Sequence, residues 1–422
     1  MRILLVGASG FIGSRLLHAL QMAGHEVVAT SRSGTGPALP SVRWSRLDLA
    51  ELAGGTHGFV WPDVELLINA AGVLDTRAAR VEQVQFQGPR ALFELAAKHG
   101  AAVMQLSALG AGEHPEVPFL ASKARADAFL LGLGIPAVVL RPSVVVGEGG
   151  ASSGWLAGLT PWPVIPVFDR QARLQPLHVD DLLAAMLALI RQWPVAPGVI
   201  PVVGLDAMTL PDLIDRLRAH QGWGPARYLG IPHSLARLGA RMGDRLGWRA
   251  LNTQLLRLAR HDNLGSAQLL AEACGYRPAS VEARLHGWPR RTASVTQAMR
   301  PVLIAALVLV WLGTAVVCLG PGYAWGLAIM AEMGVGGGLA AFAVISGALL
   351  DALLGIGLLL GRWRRRALQA QMVLMLTYMT ILAVALPRYW VDPFGSVLKN
   401  LVLLAASLWL LWTEPATRRV DR

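Results

Sequence analysis

The chain has 422 residues, too many for one ordinary hydrophobic core, so two or more domains are expected. Hydrophobic residues make up 54% of it and mean hydropathy is +0.47, with the apolar excess concentrated after residue 300. The formal charge of +11 comes mainly from arginines scattered along the chain, which excludes the basic stripe of a nucleic-acid reader, and two cysteines, Cys274 and Cys318, exclude a disulfide framework or a cysteine metal site. No metal ligand set is expected, and the short apolar start lacks the h-region and cleavage site of a secretory signal peptide.

A buried-looking strand at 3–6 runs into Gly7, Ser9, Gly10, Phe11, Ile12 and Gly13 and opens an apolar helix over 10–23. This pattern cradles a dinucleotide: Gly7 permits the tight turn, Gly10 lets backbone approach a pyrophosphate, and Gly13 lets the helix pack on the strand, so that the helix N-terminus faces the anion. Further strands are expected at 26–31, 42–44, 65–69, 102–107 and 137–140, with helices at 81–99 and 122–133. Such alternation predicts an α/β fold, a Rossmann-type doubly wound parallel sheet over 1–143. The second strand ends in Thr30, Ser31 and Arg32, where an acidic residue would bind the ribose hydroxyls of NAD. Arg32 can pair with a 2′-phosphate, which favours NADP(H) and leaves NAD(H) as the alternative; Arg32 and Arg15 could equally be solvated surface groups.

Residues 144–285 have shorter strands, a helix at 180–191, a strand at 199–204 and a helix at 210–220, and read as a small substrate-side subdomain. Residues 286–300, with Pro289, Arg290 and Arg291, read as a linker. Four apolar spans follow at 302–319, 339–361, 369–387 and 397–412, each near the length of a membrane-crossing helix, so 301–413 is expected to be a four-helix transmembrane bundle and 414–422 a tail. Arg290, Arg291 and Arg300, then Arg362, Arg364, Arg365 and Arg366, then Arg418, Arg419 and Arg422 flank one side. Arg388 and Lys399 lie on the other. The positive-inside rule then predicts a multi-pass protein of the inner membrane with both termini and the nucleotide domain in the cytoplasm. Trp363, Trp390, Trp409 and Trp412 suit the interface. Asp351, near the middle of the second span, is costly there unless it is protonated or paired, and should face the bundle interior. It reads either as a proton, quinone or lipid-headgroup site or as a structural partner of Thr377, Tyr378 or Asn400.

Over residues 1–285 the chain resembles the extended short-chain dehydrogenase/reductase superfamily, of the epimerase/dehydratase type. The points of resemblance are the glycine turn, Asp48-Leu49, Asn69-Ala70-Ala71-Gly72, Arg141-Pro142-Ser143 with Gly147, and His178-Val179-Asp180-Asp181, where Asp180 or Asp181 could also simply cap a helix. The resemblance implies that Asp48 and Leu49 hold the adenine, and that Ala70, Ala71 and Gly72 form the fourth-strand motif. It also implies that Arg141, Pro142 and Ser143 shape the nicotinamide side. Residues 252–285, with Arg260-His261-Asp262-Asn263 and Gly275-Tyr276-Arg277-Pro278, look most like the branch related to the nucleotide-binding accessory subunit of respiratory complex I. Residues 300–412 resemble the DoxX-like membrane family through Asp351, Gly355, Tyr378, Asp392 to Gly395, Lys399 and Asn400.

In the superfamily a Ser orients the substrate carbonyl, a Tyr exchanges the proton, and a Lys four residues later holds the ribose and lowers the Tyr pKa. Ser107 and Lys123 occupy two of these places. Phe119 occupies the Tyr position, and loss of a positioned general acid typically costs about 10² to 10⁴ in rate. His114, or less directly Glu113 or Tyr228, is the candidate replacement. Two functions are therefore weighed. One is a membrane-anchored oxidoreductase acting on an apolar quinone, isoprenoid or lipid carbonyl. The other is a non-catalytic nucleotide-binding module that senses redox state or aids assembly. A transporter would rest on Asp351 alone, and a homo-oligomer is compatible with each.

Overall fold

The computed structural model describes residues 1–55, 58–73, 77–246, 252–391, 395 and 397–414. The chain divides into two compact units, Met1–Ser294 and Val295–Arg422. Asp392, Arg418, Arg419 and Arg422, singled out in the sequence, lie outside the described residues.

The first unit is built on a seven-stranded, wholly parallel sheet of β1 (Arg2–Val6), β2 (Glu26–Ser31), β3 (Val42–Arg46), β4 (Leu66–Asn69), β5 (Ala102–Leu106), β6 (Ala137–Pro142) and β7 (Gly198–Val202). Their spatial order is β7-β6-β5-β4-β1-β2-β3. Strands such as Leu66–Asn69 and Ala102–Leu106 are buried at every position, as strands covered on both faces must be. One face carries α1 (Phe11–Met22), through Leu16, Leu17 and Leu20. The other carries α2 (Gly88–Lys98) and α3 (Pro118–Gly132), through Leu92, Phe93, Ala96, Ala126 and Leu130. The chain leaves β1 toward β2 on one side and returns to β4 on the other, so the crevice for a ligand opens at the carboxyl ends of β1 and β4.

Three local differences bear on the site. Helix α3 begins at Pro118 rather than at 122, because proline supplies the dihedral angle of a first helical residue and lacks the N–H that would be orphaned there. The helical stretch expected over 81–99 starts at Ala78 and contains a π turn, Gln83–Gln87, before Gly88, which packs so tightly that a Cβ would lie 2.4 Å from the Leu49 carbonyl oxygen. Neither Asp180 nor Asp181 caps the helix α4 (Val179–Arg191): His178 does, its Nδ1 accepting from the Asp180 N–H at 3.3 Å. Asp181 is instead buried, accepting from Arg284 at 2.6 Å and from the Tyr276 hydroxyl at 2.5 Å. Burial, then the neighbouring Asp181 carboxylate, pushes the Tyr276 phenol up to about 12.

The region 144–285 belongs to the same compact unit as the sheet and adds three two-stranded ladders around Leu156, Ile165, Leu213, Leu217 and Val281. The stretch 286–300, expected to be irregular, is so only to residue 290. Helix α5 (Arg291–Leu319) starts there, since Thr292 to Met299 contain no helix breaker after Pro289.

In the second unit α5 continues, followed by the short helix Tyr323–Glu332, α6 (Gly337–Leu359), α7 (Arg364–Ala385) and α8 (Lys399–Thr413). Helices α5, α6 and α7 are long and apolar enough to cross a membrane. Helix α8, with 15 residues, reaches only about 22 Å at 1.5 Å per residue. Leu307, Trp311, Leu354, Leu358, Leu368, Met375 and Leu410 form its core. Glu414 pairs with Arg300 and, at 3.5 Å, with Arg364, while Arg388 pairs with Glu332. These pairs place 300, 364 and 414 at one end of the bundle and 332 with 388 at the other.

Phe93 is fully buried between α2 and the sheet. Phe93→Ala should lower the stability of the first unit by about 3–5 kcal/mol through lost burial and the cavity left behind. A urea midpoint followed by hydrogen exchange in β4 and β5 measures this, and an unchanged midpoint would contradict the packing described.

Candidate functional site

The glycine turn is held by backbone geometry that excludes side chains. Gly7 has a φ of +83°, and a Cβ on it would lie 2.8 Å from the Ala71 backbone, so the ends of β1 and β4 touch here. A Cβ on Gly13 would lie 2.1 Å from the Gly7 carbonyl oxygen, which lets α1 start directly above the strand end. Gly10 caps α1 without any side-chain hydrogen bond, so the first-turn N–H groups at Phe11, Ile12 and Gly13 remain directed out of the helix. That arrangement of amides, dipole and close backbone fits the pyrophosphate of a dinucleotide. Ser9 lies within this turn, and Arg15 closes one side of it, donating to the Glu148 carbonyl at 2.6 Å and lying over the Phe11 ring.

At the end of β2, Ser31 both donates to the Thr35 carbonyl and accepts its N–H, forming a hydroxyl-rich turn. Arg32 stands exposed on this turn with no ion pair among the described residues. Asp48 caps the short helix Leu49–Ala53, its Oδ1 accepting from Ala50 at 2.9 Å, with Leu49 buried behind it. Past β4, Asn69 accepts from the Ala71 N–H and donates to Gln105, which fixes the segment Ala70 to Gly72 at the crevice.

Phe119, Lys123 and Asp127 recur every four residues and so form one stripe along α3. Lys123 is 3% exposed, and its ammonium donates to the carbonyls of Leu106 at 2.9 Å and Ala71 at 3.4 Å, tying the ends of β5 and β4 together. A Cβ on Gly72 would lie 4.0 Å from that nitrogen. Burial lowers the Lys123 ammonium to about 8, against the opposing pull of Asp127. Asp127, 1% exposed, accepts from the Ser107 hydroxyl at 2.7 Å and pairs with Arg141 at 3.0 Å. Its burial raises the carboxyl, opposed by the Ser107 and Arg141 contacts.

The structure thus brings Ser107 and Lys123 together at the end of β5, Ser107 bonded to Asp127 and Lys123 to the Leu106 carbonyl, with the Asp127 carboxylate near enough to pull on the Lys123 charge. Arg141 turns its guanidinium to Asp127, while Pro142 ends β6 and Ser143 is buried just beyond it. Phe119 is partly exposed in the first turn of α3 and contributes no proton. His114 belongs elsewhere: its ring stacks on His261 with centroids 3.9 Å apart, and its Nδ1 lies 3.5 Å from Glu116. Tyr228 bonds Asp215 and the Pro211 carbonyl within the region 144–285, and burial with the Asp215 contact raises its phenol. In α6, Asp351 lies on the buried stripe with Ala348, Leu354, Gly355 and Leu358, and its Oδ1 has no partner among the described residues. Thr377 donates to the Val373 carbonyl rather than to Asp351.

A sheet of this order with a glycine cradle at its switch point defines a dinucleotide-binding α/β protein. Residues 3–200 match the NAD dependent epimerase/dehydratase family and residues 308–408 the DoxX-like family. The chain is thus an epimerase/dehydratase-type nucleotide-binding domain joined to a DoxX-like membrane domain. A protein named ceramide reductase from Caulobacter vibrioides is 28% identical over 248 residues, covering 56% of this chain and 73% of that protein. The mitochondrial NADH dehydrogenase (ubiquinone) 1 alpha subcomplex subunit 9 of Dictyostelium discoideum is 26% identical over 245 residues, 54% of this chain and 65% of that protein. Among solved structures, the Bordetella bronchiseptica enzyme WbmG in complex with NAD matches with a TM-score of 0.52 at 17% identity, over 70% of this chain and 96% of that one, a likeness of fold.

Lys123 carries a pH dependence. The unfolded chain holds the Lys123 proton up to about 10.5 and the folded chain only to about 8, so between these values the unfolded state binds more protons and stability rises with pH. Melting of the native protein and of Lys123→Met between pH 7.5 and 10.5 should show this rise in the native protein and its absence in the variant. Parallel curves would contradict the burial of the charge.

Proposed function

We propose that the chain is a membrane-anchored oxidoreductase that prefers NADP(H) over NAD(H) and acts on an apolar carbonyl of quinone, isoprenoid or lipid type. The observation that carries this reading is the retained pocket floor: Ser107 and Lys123 stay buried together at the end of β5 beside the glycine cradle, although Phe119 stands at the proton donor's position. A pocket kept only to bind nucleotide needs no hydroxyl at the end of β5. Arg32 on its hydroxyl-rich turn supports recognition of a 2′-phosphate. The relative named ceramide reductase, and three apolar helices on the same chain, support a lipid-dissolved substrate.

When bound, the nicotinamide supplies or accepts a hydride. Ser107, bonded to Asp127 in this structure, would orient the substrate oxygen by turning its hydroxyl proton from that carboxylate to the carbonyl, and Lys123 would hold the ribose side. The proton on the product oxygen comes from water, from the substrate, or through Ser107, since the His114 ring is engaged with His261 and Glu116. The arginines at 300, 362 and 364–366 outnumber Arg388 and Lys399 on the other side, which supports an inner-membrane protein with the nucleotide domain and both termini in the cytoplasm. Asp351 offers the bundle a polar contact for a headgroup or quinone oxygen, and a homo-oligomer would enlarge that bundle.

Phe119, together with the relationship to a complex I subunit, favours the second reading of a non-catalytic redox-sensing or assembly module. Fluorescence titration of the detergent-purified chain should show NADPH binding about tenfold tighter than NADH, with the preference lost in Arg32→Glu. With long-chain ketones, aldehydes and quinones, Phe119→Tyr should raise turnover by about 10² or more. Tight binding without turnover in both forms would overturn the enzyme in favour of the module.

A further inference from the structure

We infer that His114, Glu116 and His261 form a binding site for a divalent cation of the zinc class. One ligand atom from each of the three lies within 4.8 Å of the others. The carboxylate Oε1 of Glu116 is 3.0 Å from Nε2 of His261 and 3.5 Å from Nδ1 of His114. Ligand atoms around a tetrahedral zinc with bonds of about 2.0–2.1 Å stand roughly 3.3 Å apart, so the two sides that meet at Glu116 are already near the required length. The two imidazoles are stacked, and each presents one ring nitrogen to the same Glu116 oxygen, so the three ligand atoms already converge.

The chemistry of the set fits the ion. Two neutral imidazoles and one carboxylate suit a borderline cation with mixed nitrogen and oxygen preference, and three protein ligands leave a fourth position for water. The group carries one negative charge before binding, which a divalent ion reverses. Arg257 donates to the Glu116 carbonyl at 2.7 Å and so fixes the backbone of one ligand, leaving its carboxylate to the two rings. His114 and Glu116 lie on the loop from β5 to α3, which carries Ser107 and leads into Phe119. His261 lies two residues before Asn263, whose side chain donates to Leu109 of that same loop at 3.4 Å. An ion at this point clamps the loop that frames the candidate active site to the segment around Asn263, 147 residues on from His114 by chain number. The site is separate from the Ser107, Lys123 and Asp127 network and does not depend on turnover.

The test uses the full chain without a histidine tag, purified in detergent and stripped with chelator. Calorimetric titration with zinc, and cobalt(II) absorption as a geometric probe, should show one equivalent bound, with the intense visible bands of a four-coordinate nitrogen and oxygen site. His114→Ala, His261→Ala and Glu116→Gln should each weaken zinc binding by at least about tenfold, with far-ultraviolet dichroism unchanged. Melting in zinc should rise for the native chain and not for the His114→Ala/His261→Ala double variant. No stoichiometric uptake by the native chain, or uptake of equal affinity by the double variant, would overturn the site and leave an ordinary histidine–carboxylate hydrogen bond.

Discussion

The contact between Gly13 and the Gly7 carbonyl sets the position of everything that follows. With a Cβ excluded to 2.1 Å, helix α1 can begin only where its free amides point across the ends of β1 and β4. The same close packing brings the Ala71 backbone against Gly7, and Ala71 in turn accepts from Lys123. A cradle for two phosphates and a buried ammonium are therefore parts of one backbone arrangement. Substituting either glycine would displace both.

Below that cradle, charge is buried and must be balanced. Burial lowers the proton affinity of Lys123 against the pull of Asp127, its hydrogen bonds among the described residues going to carbonyls, whereas Asp127 is compensated by Ser107 and Arg141. Removing one member of such a set leaves an uncompensated polar group at a cost of several kcal/mol, so the network holds strands β4, β5 and β6 in register with α3. Phe119 stands one helical turn before Lys123 on the same stripe. On the function proposed, binding and proton transfer would be separable on this helix, with Lys123 present to hold the ribose and Phe119 in the place of a donor.

Much of this was legible in the sequence, because local signals dominate where strands meet glycine turns. The strands of the first 140 residues, the cradle, and the places of Ser107, Phe119 and Lys123 follow from motifs a few residues long, whereas the strand near 199, read as part of the subdomain, instead edges the main sheet beside β6. Asp127 escaped notice since an acid four residues after a lysine reads as an exposed helical pair, yet here both are buried. The grouping of Asp181 with Tyr276 and Arg284, and of His114 with His261, joins residues that are far apart along the chain, and no local pattern announces such pairs. His178 rather than an aspartate capped α4 because Asp181 was drawn inward by Arg284. In the apolar half, hydropathy located the spans, while the short helix Tyr323–Glu332 lies in the glycine-flanked gap between the first two, too short to read as a span of its own.

The bundle and the nucleotide domain share one chain, which would raise the effective concentration of the proposed lipid-dissolved substrate near a cofactor. The central claim is that the dinucleotide held at the cradle reacts, despite Phe119. Single-turnover mixing of the detergent-embedded protein with NADPH deuterated at the transferable C4 position and a long-chain ketone tests it directly. Deuterium is expected on the carbinol carbon of the product alcohol. Deuterium retained wholly in the cofactor, with binding intact, would contradict it.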